Sequence, residues 1–228
     1  MLEEILQSTR QRVEALRPAS AELVASAASA PPTRGFAAAL ANDGLQIIAE
    51  IKRRSPSAGP IAPHIDPAVQ AKLYETGGAA ALSVLTEPHF FAGSLEDLQA
   101  ARAAVKIPVL RKDFIVDELQ LHQARVARAD AVLLIVAALE ESALRDLHDV
   151  ATGIGLDVLV EAHNLDEVEV ANRCGAALIG VNNRDLHTFK TDLATAETLA
   201  SSVESTIRVA ESGVSSPAGA SRMAAAGY

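Results

Sequence analysis

The apolar positions of this chain change rhythm near residue 32. Before that point Leu2, Ile5, Leu6, Val13 and Leu16 recur roughly on one helical face, which predicts a helix ending before Pro18. The Ala-rich stretch 19–30 predicts a second helix, stopped by Pro31-Pro32. Beyond it, short apolar runs at 47–51, 80–85, 109–110, 131–136, 158–160, 177–181 and 207–210 predict strands. Amphipathic stretches at 67–76, 95–104, 118–128, 140–150, 165–173 and 193–201 predict helices between them. Ser94 with Asp97 resembles a capping box, and Ser216-Pro217 reads as an N-cap and first helical residue. Gly77-Gly78 and Gly175 lie where helices should stop.

Strand and helix in strict alternation imply parallel strands joined by crossovers. Strands that are continuously apolar are those covered on both faces. No linker or charge run divides the seven units, so one domain is expected over residues 1–228. Residues 1–30 form its N-terminal helical extension, and 46–228 its βα units one to seven. Two α/β architectures fit, an eightfold barrel and a doubly wound open sheet.

The residues that end the strands separate the two. The first run ends in Glu50-Ile51-Lys52, the third in Arg111-Lys112-Asp113 and the fifth in Glu161. The sixth ends in Asn182-Asn183-Arg184 and the seventh in Glu211-Ser212-Gly213. In an open sheet these ends spread along a line, whereas in a barrel they converge on one mouth, where barrel enzymes place their chemistry. Glu50 and Lys52 are two apart and share a strand face, the barrel interior. A structural ion-pair plug is the plainer explanation of such a cluster. The chemical one is a pocket for an anionic substrate. There a lysine among other cations is tuned towards neutrality as acid or nucleophile, and a glutamate against apolar walls becomes a base. Gly213, at a turn from strand into helix, frees a backbone N–H for a phosphate, although a tight turn alone also explains it.

Composition narrows the setting. The 228 residues are 49% hydrophobic and 21% charged, the balance of a folded soluble chain. The net charge of −9 disfavours a general nucleic-acid binder. Only 3% of residues are aromatic, so the core must be aliphatic. Cys174 is the single cysteine, which excludes an intramolecular disulfide and fits a reducing, cytoplasmic setting. No apolar run has the length of a membrane span, and the acidic start MLEEILQSTR lacks a secretory pattern. Glu87-Pro-His89 and Glu161-Ala-His163 match no strong zinc spacing, so no metal is expected. No Gly-x-Gly-x-x-Gly or Walker motif supports a nucleotide cofactor.

The ordered segments AEIKRRSPSAG (49–59), VLTEPHFFAGS (84–94), LRKDFIVD (110–117), ADAVLLI (129–135), VLVEAHN (158–164), IGVNNRDLHTF (179–189) and VAESGV (209–214) resemble the indole-3-glycerol phosphate synthase family over nearly the whole chain. The resemblance implies a (β/α)8 TIM barrel with an N-terminal helical extension. The chain stops at Tyr228, before that family's eighth βα unit, and truncation is the expected reason. It also implies a cofactor-free conversion of 1-(2-carboxyphenylamino)-1-deoxyribulose 5-phosphate into indole-3-glycerol phosphate. By the same resemblance Lys112 is the general acid, Glu161 the base of the dehydration and Lys52 the partner of the substrate carboxylate. Glu50 and Asn182 orient these groups, Arg184 positions the anthranilate end, and Glu211 and Ser212 line the mouth. Ser55 and Gly213 contact the phosphate, while Phe91, Phe114 and Leu133 wall the aromatic ring. The implied partner is a small phosphorylated substrate, with no nucleic acid or membrane, and the protein is a monomer or weak homodimer. The alternatives are a Schiff-base aldolase, a phosphoribosyl sugar isomerase and an inactive barrel acting as a binding module.

Overall fold

A computed structural model of the chain describes residues 1–185 and 188–228. Leu186 and His187, inside the sixth of the matching segments, lie outside the described residues. Seven parallel strands form one sheet in the order β1 (Ile48–Ile51), β4 (Ala81–Leu85), β5 (Val109–Lys112), β6 (Ala131–Ile135), β7 (Asp157–Ala162), β8 (Leu178–Asn182) and β9 (Ile207–Glu211). The helices α4 (Pro67–Thr76), α5 (Leu95–Ala104), α6 (Glu118–Val126), α7 (Glu141–Gly153), α8 (Leu165–Arg173) and α9 (Ala194–Leu199) are the crossovers. After β9 comes α10 (Pro217–Ala225). The N-terminal extension is α1 (Leu2–Leu16), a 3-10 turn at Arg17–Ala19 that accommodates Pro18, and α2 (Ser20–Ala28).

The sheet is curled rather than open. Lys112 at the end of β5 hydrogen-bonds Glu211 at the end of β9, with three strands between them. In a flat sheet strands four places apart are separated by about 19 Å. This curvature settles the choice between the two architectures: the fold is that of a TIM-type α/β barrel. Among the described residues β1 and β9 each pair on one side, and both are half-buried where the central strands are wholly buried.

The pleat sorts side chains into two cores. Ala81, Leu110, Ala131, Leu133, Leu159 and Leu178 fill the concave side, together with Ile48 and Val209. Leu82, Val84, Val132, Leu134, Val158, Val160 and Ile179 face outward and pack under the helices with Leu98, Leu121, Leu144 and Val168. Caps hold the helix starts. Ser94 accepts from the Asp97 N–H at 3.1 Å, and Ser216 from the Gly219 N–H at 3.1 Å. The Asp97 carboxylate does not reach back to close the expected capping box; it pairs with Arg53 at 2.7 Å.

Two elements escape the periodic pattern. One is α3 (Phe36–Leu40), a short helix that starts after Gly35 at φ +70° and closes the N-terminal end of the barrel with Phe36. The other is a hairpin of two-residue strands, β2 (Arg54–Ser55) and β3 (Gly59–Pro60), in the loop after β1.

Candidate active site

Alternation along each strand decides which polar residues enter the mouth. Glu50 on β1 and Lys52 just after it, Lys112 on β5, Glu161 on β7, Asn182 on β8 and Glu211 on β9 share the parity of the inner core. Arg111, Asp113 and Asn183 have the opposite parity and are buried on the outer side. Arg111 pairs there with Asp113 at 3.0 Å, and Asn183 Nδ2 donates to the carbonyls of Glu211 and Ser212 at 3.0 and 3.3 Å. In the third and sixth runs Arg111, Asp113 and Asn183 are thus structural.

Lys112 is the centre of the cluster. Its Nζ donates to Glu161 Oε2 at 3.0 Å and to Glu211. Lys52 pairs with Glu50, its neighbour on β1, at the edge of the same mouth. Gly180 lies between β7 and β9 and leaves room for the Glu211 carboxylate, whose Oε1 fills the place of a Cβ. Beside Glu50, Ser83 is its register partner on β4 and holds a buried hydroxyl without a hydrogen-bond partner among the described residues.

The surroundings set the charges. Burial pulls the Lys112 amine down, but Glu161, Glu211 and Glu50 outweigh it and hold it above its ordinary range. The expectation of a lysine tuned towards neutrality by other cations is therefore corrected: its neighbours are carboxylates. For Glu161 burial works upward, and Lys112 with His163 overcomes it, so the carboxyl lies well below the usual range. Glu211 goes the other way. Burial, with Lys112 only partly offsetting it and the charge of Glu161 adding to it, pushes the group up to about 7. Two carboxylates sharing one ammonium titrate as a unit, and one proton is held near neutrality.

The remaining candidates fall into three groups. Asn182 accepts the Arg184 N–H on Oδ1 at 3.0 Å and stands opposite Glu211 in register. The Arg184 guanidinium crosses to the hairpin after β1, donating to Ser57 at 3.3 Å and to the Phe189 carbonyl at 3.2 Å. Ser55 is turned into that hairpin, where its Oγ accepts the Ala58 N–H at 3.2 Å. Ser212 and Gly213 both have left-handed backbone, at φ 63° and φ 80°, and Gly213 is backed by Thr191 and Leu193. Phe91 and Phe114 meet with ring centroids 6.2 Å apart, and Phe114 packs against the inner core that contains Leu133.

Glu87, weighed as a metal ligand, anchors a turn: its carboxylate accepts N–H groups of His89, Phe90 and Phe91. His163 joins the acid cluster, with Nε2 3.2 Å from Glu161 Oε1. The signal for it is its place two residues after Glu161, just past the end of β7. Among the described residues no group of three or more His, Cys, Asp or Glu is arranged to hold a metal.

The family model for indole-3-glycerol phosphate synthase matches residues 2–228. A protein of that name from Leifsonia xyli subsp. xyli is 52% identical over 221 residues, covering 96% of this chain and 84% of the relative. Another from Mycobacterium ulcerans is 49% identical over 94% of this chain and 80% of the relative. A third, from Desulfosudis oleivorans, is 48% identical over 100% and 89%. Among solved structures, the N-acetylmannosamine-6-phosphate 2-epimerase from Clostridium perfringens superposes with a TM-score of 0.63 at 13% identity, covering 82% of this chain and 84% of that one. The thiamine phosphate pyrophosphorylase from Pyrococcus furiosus does so with 0.58 at 18%, covering 80% and 82%. These two likenesses bear on the fold alone.

Proposed function

The chain belongs to the indole-3-glycerol phosphate synthase family, the carboxy-lyases of tryptophan biosynthesis, and we propose that it closes the indole ring at the mouth of its barrel. The substrate is 1-(2-carboxyphenylamino)-1-deoxyribulose 5-phosphate. Its ring carbon bearing the carboxylate attacks the ribulose carbonyl, and an acid must protonate the oxygen as the C–C bond forms. CO2 then leaves, which restores the aromatic ring and needs no electron-sink cofactor. Loss of the hydroxyl as water, with a ring-adjacent proton going to a base, completes the indole.

Lys112 is the acid in this reading and Glu161 the base. The observation that carries it is Lys112 held charged between Glu161 and Glu211. Acid and base are in contact before substrate arrives, so the proton has a short path at each stage. Lys52 takes the substrate carboxylate, with Glu50 and Asn182 orienting it and the hydroxyls. Glu211, near neutrality, accepts or returns a proton beside Lys112. Arg184 positions the anthranilate end, Ser212 lines the mouth beside Glu211, Phe91, Phe114 and Leu133 wall the aromatic ring, and Ser55 and Gly213 face the phosphate. The same reading carries a cytoplasmic enzyme that works as a monomer or weak homodimer. Among the described residues no helix is long and apolar enough to cross a membrane.

Turnover followed by indole fluorescence tests the assignment. The chain should form product, and Lys112→Ala should lose a factor on the order of 100 to 10,000 in kcat while remaining folded by circular dichroism. Glu161→Gln should slow the dehydration stage and let the ring-closed intermediate accumulate. Near-normal turnover in Lys112→Ala would remove the acid role from that residue.

A further inference from the structure

Glu161 has a second cationic neighbour that the reaction scheme leaves unused. His163 is buried, with 7% of its side chain exposed, at the point where β7 passes into α8. Its Nδ1 hydrogen-bonds Glu167 Oε2 at 2.9 Å, and its Nε2 lies 3.2 Å from Glu161 Oε1, an ion-pair contact without hydrogen-bond geometry. Among the described residues, the charged groups against the ring are Glu161 from β7 and Glu167 from α8, with Lys112 of β5 beyond Glu161.

Glu167 is itself immobilised. Its Oε2 also accepts the His163 N–H at 2.8 Å, and its Oε1 accepts Asn164 Nδ2 at 2.7 Å. In return the Glu167 N–H donates to Asn164 Oδ1 at 3.0 Å. Asn164 and Glu167 thus cap the first turn of α8 from both sides, in the manner of a capping box. The cap fixes the imidazole, and the imidazole meets the carboxylate. A doubly protonated ring between two carboxylates is charged against both, bonded to Glu167 through Nδ1 and paired with Glu161 by charge through Nε2. Burial lowers its affinity for the second proton, but Glu161 and Glu167 outweigh that and raise it to about 9.

The two partners of Glu161 differ in one respect. Lys112 grips Oε2, and it must turn from Glu161 to the substrate oxygen when it delivers a proton. His163 stands on Oε1 and has no such duty. We propose that His163, held by Glu167, is a positioning residue that keeps the Glu161 carboxylate oriented and ionised while Lys112 engages the substrate. This rests on Glu161 being the base and adds the device that holds it ready. The signal in the sequence is Glu-x-His at a strand's C-terminal end followed by Asn-x-x-Glu at a helix start.

Two measurements test it together. The first is kinetic. In His163→Ala, kcat should fall about tenfold with KM changed less than about twofold, since an outer hydrogen-bond partner carries effects of that size. His163→Gln, which keeps an N–H donor, should recover part of the loss. Glu167→Gln retains the helix cap but not the charge, so it should lower kcat in the same direction. The double variant His163→Ala/Glu167→Gln should be no slower than His163→Ala, because both act through one path. An unchanged kcat in folded His163→Ala, or additive losses in the double variant, overturns the proposal.

The second measurement needs no turnover. Coupling between two titrating groups is reciprocal, so whatever His163 does for Glu161 is returned. Imidazole NMR should show His163 titrating near 9 in the wild type and at least about one pH unit lower in Glu161→Gln. An equal midpoint in the two proteins overturns the proposal even if His163→Ala fails to fold. A wild-type chain without turnover overturns the assigned reaction, while the NMR comparison still decides whether His163 holds Glu161.

Discussion

Gly180 is bare because its neighbour needs the room. It faces the inside of the barrel between Leu159 and Glu211, and a methyl group there would overlap the Glu211 carboxylate. Gly180→Ala must therefore push Glu211 away from Lys112. A displacement on the order of 1 Å in a reacting group can cost about 100-fold, so kcat/KM should fall by about that factor. Denaturant unfolding should change far less, because the displaced side chain has a way out towards the mouth. Wild-type kinetics in Gly180→Ala would show that the position of Glu211 is not critical. The inward parity of Glu50 and Lys52 follows from their spacing alone. The state of Lys112 does not, because its partners lie 49 and 99 residues further along the chain. Counting charge types at strand ends suggested a lysine among cations, and tertiary pairing reversed that.

At the scale of elements, α1 is fastened to the strand that carries Lys112. Arg12 donates to both oxygens of Asp113, at 3.3 and 3.0 Å. Asp113 is fully buried and also accepts Thr86 Oγ1 at 2.8 Å, Arg111 Nη2 at 3.0 Å and the Phe114 N–H at 2.9 Å. Burial would raise the Asp113 carboxyl, but Arg111 and Arg12 keep it below its usual range. The partners are unequal, and so are the expected losses. Arg12→Met leaves Asp113 with three donors and should cost about 1–3 kcal/mol. Asp113→Ala leaves the buried Arg111 guanidinium without a counter-charge and should cost about 3–5 kcal/mol. Urea unfolding of the two variants checks the order, and equal losses would show that the strap and the buried pair are not distinct. Strands β4, β6 and β8 are legible as apolar runs because both of their faces are covered. The third run reads as 109–110, yet β5 continues through Arg111 and Lys112, since an arginine paired to Asp113 can occupy a buried outward position. The helix expected over 193–201 is α9 followed by a 3-10 turn at Ala200–Ser202. Elements as short as α3, β2 and β3 leave no periodic trace, because one turn or two residues show no period.

At the scale of the whole molecule, the proposed chemistry and the stabilising contacts lie at opposite ends of the barrel axis. At the C-terminal end of the strands lie Lys112, Glu161 and Glu211, a costly set to bury. At the other end the segment after α2 seals the sheet. Phe36 is wholly buried there against the inner core, and the Arg34 N–H donates to Asp130 at 2.8 Å. Asp130 also takes Arg102 Nε and the Val109 N–H, each at 2.8 Å, and Asp157 accepts the Ala37 N–H at 2.9 Å. Barrel enzymes of this class divide in the same way, with catalytic residues at strand C-termini and stabilising ones below. Phe36→Ala removes the plug without touching the mouth. It should cost about 3–5 kcal/mol through lost burial and the cavity left behind. For a chain of this length that lowers Tm by about 10 °C. At 25 °C, where the variant is still mostly folded, kcat should remain within about twofold of wild type. If kcat fell as far as in Lys112→Ala, the two ends would be mechanically coupled. The inner core of Leu110, Leu133 and Leu159 lies between them, and it would then have to transmit the change from the floor to Lys112.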